Sequence, residues 1–205
     1  MFPPIEILNR NDITIQHSLD GFSYVCIINN TNHTFVPVSV FQEKDKAKYL
    51  DFLGLMEDNG VVLTDYVSEA DAYNVYLISE KDYKIITDSS EKIEYHHASS
   101  LLVADLIKQN RERTDDPKVY LHVNDRNFEM IVLKGANLLF DNSFRFKTKE
   151  DFLYFLLFSM EQLKLDAETV PVYFMGMIEE ESEIAKLVSK YVRNIHFLRK
   201  NNANN

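Results

Sequence analysis

The chain has 205 residues, 45% of them apolar and 12% aromatic, a composition that fills a hydrophobic core and excludes disorder outside the two ends. Its net charge of -10 disfavours nucleic acid as a partner, because that affinity comes from Lys and Arg displacing condensed counterions, and Arg111, Arg113, Arg193, Arg199 and Lys200 are thinly spread. The single Cys26 closes no internal disulfide, no basic-then-apolar leader opens the chain, and the apolar stretch 152–160 is too short for a bilayer, so a cytoplasmic protein without membrane insertion is expected.

Residues 13–41 read as three strands in a meander, because alternating apolar residues are interrupted by Leu19-Asp20-Gly21 and by Asn29-Asn30-Thr31-Asn32, both turn chemistry. In the middle strand, 22–28, Phe22, Tyr24, Cys26 and Ile28 face one side and Val25 and Ile27 the other, as in an interior strand covered on both faces. Cys26 is then a core residue rather than a nucleophile. A helix over 43–56 follows, with Tyr49, Phe52, Leu53 and Met56 on one face and Asn59-Gly60 ending it. Short strands near 61–63 and 73–79, a helical segment near 81–86 and an extended piece near 93–95 come next. Residues 98–109 carry Leu102, Val103, Leu106 and Ile107 on one helical stripe, and the polar segment 110–117 breaks it.

A second meander occupies 118–124, 127–133 and 137–147, with turns at Asp125-Arg126 and Lys134-Gly135-Ala136. Residues 148–165 form an amphipathic helix, since Phe152, Phe155, Leu156, Met160 and Leu163 share a face and Thr148 with Asp151 makes a capping box. A buried strand at 170–175, a helix at 182–191 and a last strand at 194–198 complete the chain. The two halves therefore repeat one order of elements, and Asp20 and Asp125, in matching turns, lie 105 residues apart. An internal duplication predicts this.

Three strands followed by alternating helices and strands is the order of the ribonuclease H-like fold, and two such lobes in tandem resemble the actin-like ATPase superfamily. The segments SLDGFSYVCI (18–27), VYLHVNDRNFEMIVLKGANLLFDNSFRFKTKEDFLYFLLFSMEQLKLD (119–166) and SKYVRNIHF (189–197) are similar to an uncharacterised Bacteroidetes family, the domain of unknown function 3822. The resemblance implies an α/β protein of two ribonuclease H-like lobes, 1–97 and 98–205, with 98–117 a linking helix and loop and 199–205 a polar tail.

Actin-like ATPases hold a nucleotide between lobes, with hairpin acids in the magnesium shell and glycine backbone N–H groups against the phosphates. Carried onto this sequence, Asp20, Gly21 and Asp125 would approach the phosphates and Gly176 the nucleoside of ATP. Each motif departs from that design. Asp20 is followed directly by Gly21, Ser18 stands where an acid belongs, Asn127 stands where a glycine would, and Gly176 has no paired glycine. Ordinary hairpin turns account for the same residues.

A ribonuclease H-like nuclease needs carboxylates converging on two metal ions, and residues 13–18 contain none. His96-His97 are adjacent on a strand, point to opposite faces and lack a third ligand, so they suit a hinge before the next helix better than a metal. Ser18, Ser23 and Ser143 lack a nucleophile elbow. The expectation is an intracellular, non-catalytic actin-like binding or scaffold module with a protein partner and no cofactor. The alternative is a divergent ATPase or nucleotide switch using ATP and magnesium.

Overall fold

Strand and helix periods in the sequence become two compact units, Met1–Lys108 and Gln109–Asn205, in a computed structural model that describes residues 13–17, 24–88, 93–110 and 116–198. The C-terminal unit follows the sequence closely. Strands β7 (Pro117–Val123), β8 (Asn127–Lys134) and β9 (Asn137–Arg145) form the antiparallel meander. Helix α4 (Lys149–Gln162) then crosses to β10 (Val172–Gly176), parallel to β7, and α5 (Glu183–Val188) to β11 (Ile195–Phe197), parallel to β10. The sheet order is β11-β10-β7-β8-β9. One face buries Val119, Leu121, Phe128, Met130, Val172 and Phe174 against Phe152, Leu156 and Met160 of α4, as the period of two against the period of 3.6 requires. The α4 capping box forms: Asp151 N–H donates to Thr148 Oγ1 at 3.1 Å and Thr148 N–H to Asp151 Oδ2 at 3.1 Å.

The N-terminal unit pairs differently. Strands β1 (Ile13–His17) and β2 (Tyr24–Ile28) are antiparallel, and β6 (Ile93–His97) adds parallel to β2. Strand β3 (His33–Pro37) does not complete that meander. It joins a second sheet, β3-β5-β4, with β4 (Gly60–Val67) and β5 (Ala72–Ser79). The asparagine turn explains the departure. Asn30 Nδ2 donates to Leu77 O at 2.8 Å, and Leu77 N–H donates to Asn32 O at 2.9 Å, so the turn is fastened to β5 instead of folding β3 back on β2. The one-sheet repeat expected of both halves is thus absent from the described pairing of the N-terminal unit.

Both faces of β5 are covered. Tyr76 and Ile78 pack with Ile13, Ile15, Cys26 and Ile28 and with Ile86 of α2 (Glu80–Thr87), while Val75 and Leu77 meet Leu50 of α1 (Lys46–Phe52). Cys26 is fully buried, and burial pushes its thiol up to about 11, which keeps the nucleophilic thiolate scarce. The helix expected over 43–56 begins as a 3-10 turn and stops at Phe52, because Gly54 adopts a left-handed φ of 68°. Its buried residue is Leu50, not the expected Phe52 and Leu53, both exposed. Tyr49 fixes that rotation: its hydroxyl donates to Val40 O at 2.8 Å and accepts from Gln42 N–H at 3.0 Å. Helix α3 (Ala98–Asn110) runs from the end of β6. Among the described residues no helix is long and apolar enough to cross a membrane.

Candidate functional site

From β7 the chain turns to β8 and β9 on one side, and later to β10 and β11 on the other. The carboxyl ends of β7 and β10 therefore flank a topological switch point, the position where open α/β sheets take ligands. Two of the sequence-expected residues lie on the elements that flank it. Asp125 lies in the β7–β8 turn, and Gly176 ends β10 as the register partner of Val123. Asp20 and Gly21, with Ser18 and Ser23, lie outside the described residues.

The resemblance implies a nucleotide with magnesium at such a point, and among the described residues the β7–β8 turn there is bonded to itself. Asn124 N–H donates to Asn127 O at 2.9 Å, and Asn124 Nδ2 to Asn127 Oδ1 at 3.1 Å, so the turn closes on itself. Met177 N–H donates to Val123 O at 2.7 Å. Gly176, at φ 87°, has its place explained by packing: a Cβ would stand 2.4 Å from Val123 O. A substituent-free position is needed there whether or not a ligand exists. Asp125 extends into solvent, its side chain 84% exposed with Arg126 Nε 3.6 Å away.

The buried polar chemistry lies elsewhere, at positions that, except for His97, sequence reading missed. In the N-terminal unit Asp65 accepts from Tyr76 Oη at 3.0 Å, from His97 N–H at 2.7 Å and from Ser100 Oγ at 2.6 Å. Asn74 Nδ2 donates to Ser100 Oγ at 3.0 Å, and Ser99 N–H to His97 Nδ1 at 3.2 Å. Burial first, then the Asp65 charge, pushes the Tyr76 hydroxyl far above its ordinary value. The His97 imidazole is held well below its usual 6.5, by burial and next by neighbouring His33. His97 ends β6 directly before α3, whereas His96 is half exposed, with Nδ1 3.9 Å from Asp65 Oδ1. This network ties β4, β5, β6 and α3 together; its carboxylate faces donors on three elements, and Ser99 Oγ lies 3.2 Å from His33 Nε2, both buried.

In the C-terminal unit, Glu129 on β8 and Asp141 on β9 share the sheet face opposite α4, Asp141 being the register partner of Ile131 and Ser143 that of Glu129. Burial, then the Glu129 charge and a hydrogen bond to it, hold the Asp141 carboxyl well above the usual carboxylate range. The aromatic row Tyr120, Tyr173 and His196 crosses the same face, with centroids 5.1 and 4.9 Å apart. Asn110 and Lys118 bond at its end: Asn110 Nδ2 donates to Tyr120 Oη at 2.8 Å and Lys118 Nζ to Asn110 Oδ1 at 2.9 Å.

The family described as "Protein of unknown function (DUF3822)" matches residues 16–195. The chain belongs to that family. No curated protein matches it. Among solved structures it is similar to a Bacteroides thetaiotaomicron protein described as having an actin-like ATPase fold and unknown function, at 19% identity and a TM-score of 0.78, over 87% of this chain and 68% of that one. It is also similar to the PilM-PilN type IV pilus biogenesis complex, at 11% identity and a TM-score of 0.55, over 85% of this chain and 68% of that chain. The fold is mixed α/β and close to that of an actin-like ATPase-fold protein.

Proposed function

We propose that the protein is a non-catalytic actin-like binding module, made of two ribonuclease H-like lobes divided near α3, that recognises a protein partner instead of a nucleotide. The supporting observation is the self-closed switch point: the Asn124 backbone and side-chain donors and the Met177 N–H are committed to Asn127 and Val123. A phosphate would have to compete with these bonds, and an unmade bond is more costly than a made one is stabilising. The five-stranded order β11-β10-β7-β8-β9 of the C-terminal unit, a meander followed by two parallel crossover strands, supports the assignment of that lobe. A protein of similar fold, PilM, is described within a complex with PilN, which agrees with a binding role for this scaffold.

A divergent ATPase or nucleotide switch is the second reading, favoured by the exposed Asp125 beside Gly176 at the end of the sheet. Thermal-shift titration with magnesium and ATP separates the two. A ligand at 100 times its dissociation constant stabilises the native state by about 2.7 kcal/mol, a shift of several degrees in Tm. Millimolar ATP should leave Tm unchanged. A rise in Tm that Asp125→Ala removes would replace the first reading with the second.

A further inference from the structure

Aromatic rings line up along the N-terminal unit at the start of β5 and the end of β4, beyond the Val75 and Leu77 that α1 covers. Tyr66 on β4 and Tyr73 on β5 are register partners with centroids 5.2 Å apart, and Tyr73 stacks on Phe41 at 4.0 Å. Phe41 in turn stacks on Tyr49 of α1 at 6.0 Å, and Phe52 and Leu53 lie one helical turn beyond Tyr49. Folding leaves this strip in water: Phe52 is 90% exposed and Tyr66 56%. Singly scattered apolar residues need no explanation, whereas a row of stacked rings continued by two exposed apolar residues one turn along α1 marks an interaction surface.

The stretch of chain that carries most of the strip is rich in acids. From Tyr49 to Glu80 the sequence holds seven acids and no Lys, Arg or His; of these Asp65 is buried and Glu69 and Glu80 pair with Lys108 and Lys84, which leaves Asp51, Glu57, Asp58 and Asp71 without an ion pair among the described residues. Upstream, Lys46 and Lys48 are already paired with Glu43 and Asp45, each at 2.6 Å, and the exposed Lys44 adds to the field on Asp45. The asymmetry extends to the whole chain. Eight Lys and Arg against seventeen Asp and Glu give residues 1–108 a net charge of -9, whereas fourteen against fifteen give residues 109–205 only -1. The exposed acids Asp51, Asp58 and Asp71 belong to the same stretch of chain as Phe52, Tyr66 and Tyr73.

We infer that this strip is the docking surface for a cationic amphipathic helix of a partner protein, an assignment that rests on the binding-module reading. The apolar face of that helix packs on Phe52, Leu53, Tyr66 and Tyr73. Its lysines or arginines face the surrounding acids and the tyrosine rings, so that charge supplies selectivity and burial supplies affinity. The exposed Tyr154 and Phe158 of α4 form another stacked pair, but in the unit with almost no net charge they select no partner by sign.

Fluorescence anisotropy with two synthetic helices tests this on the full chain: one with a Leu and Phe face and lysines elsewhere, the other identical but with glutamates. The lysine helix should bind, weaken at high salt, and bind about tenfold more weakly to Phe52→Ser and to Tyr66→Ser, losses of hot-spot size. Tyr154→Ser should bind as the parent does. Both test positions are exposed, so unchanged circular dichroism and Tm are expected of the variants. Equal binding of the glutamate helix, or full binding by both serine variants, would overturn the assignment. A concentration-dependent dimer abolished by Phe52→Ser would overturn it too, making a second copy the occupant. If neither helix binds while magnesium-ATP leaves Tm unchanged, the docking surface fails and the binding-module reading stands; a magnesium-ATP shift sinks that reading itself.

Discussion

His97 and Asp141 show how burial turns single residues into determinants of pH-dependent stability. In the unfolded chain the His97 imidazole binds a proton near pH 6.5, whereas burial and His33 keep the folded imidazole neutral to well below that pH. The unfolded state therefore holds more protons in that window, and stability should fall as pH drops below 6.5. His97→Gln should flatten the slope of urea midpoint against pH between neutrality and mild acid; an unaltered slope would assign it to another group. Asp141 acts with the opposite sign. Its folded carboxyl holds a proton that the unfolded chain releases, so its contribution is present at acid pH and lost as pH rises through the folded value. Asp141→Asn, neutral and of the same shape, should raise Tm at neutral pH, and a lower Tm would show that the carboxyl is needed there.

Helix α4 and helix α1 contrast how completely an element is specified by its own residues. The Thr148–Asp151 box and the apolar stripe both lie within α4, and backbone N–H groups of Lys147 and Thr148 hold the Asp151 carboxyl below its usual range. Thr148→Ala should cost about 1 kcal/mol, read as a lower urea midpoint at unchanged m-value, since it orphans the Asp151 N–H. In α1 the expected face is right in period and wrong in rotation. A short helix has little apolar area with which to choose, so the Tyr49 hydroxyl and the left-handed Gly54 settle which residues reach the sheet. Strand β3 shows the same dependence on its surroundings, drawn to β5 by Asn30 and Asn32.

Across the molecule, the uneven charge has a physical consequence. The excess of nine negative charges in residues 1–108 repels itself in the folded state, and salt screens that repulsion over about 10 Å at 0.1 M. Raising sodium chloride from very low to physiological ionic strength should therefore increase Tm. A decrease would mean that pairs such as Lys108–Glu69, at 3.1 Å, outweigh the repulsion.

The sequence by itself determined the C-terminal strands and helices, the burial of Cys26, and the turns that bring Asp125 and Gly176 to neighbouring strand ends. Periodicity and turn chemistry are local, so each is written within a few residues. The Asp65 network, the Glu129–Asp141 pair and the uncovered strip at Phe52 were decided only by tertiary structure. A polar residue at an alternating position reads the same whether water or another element covers it. Ser100 reaches Asp65 from 35 residues away, and no window of sequence records that approach.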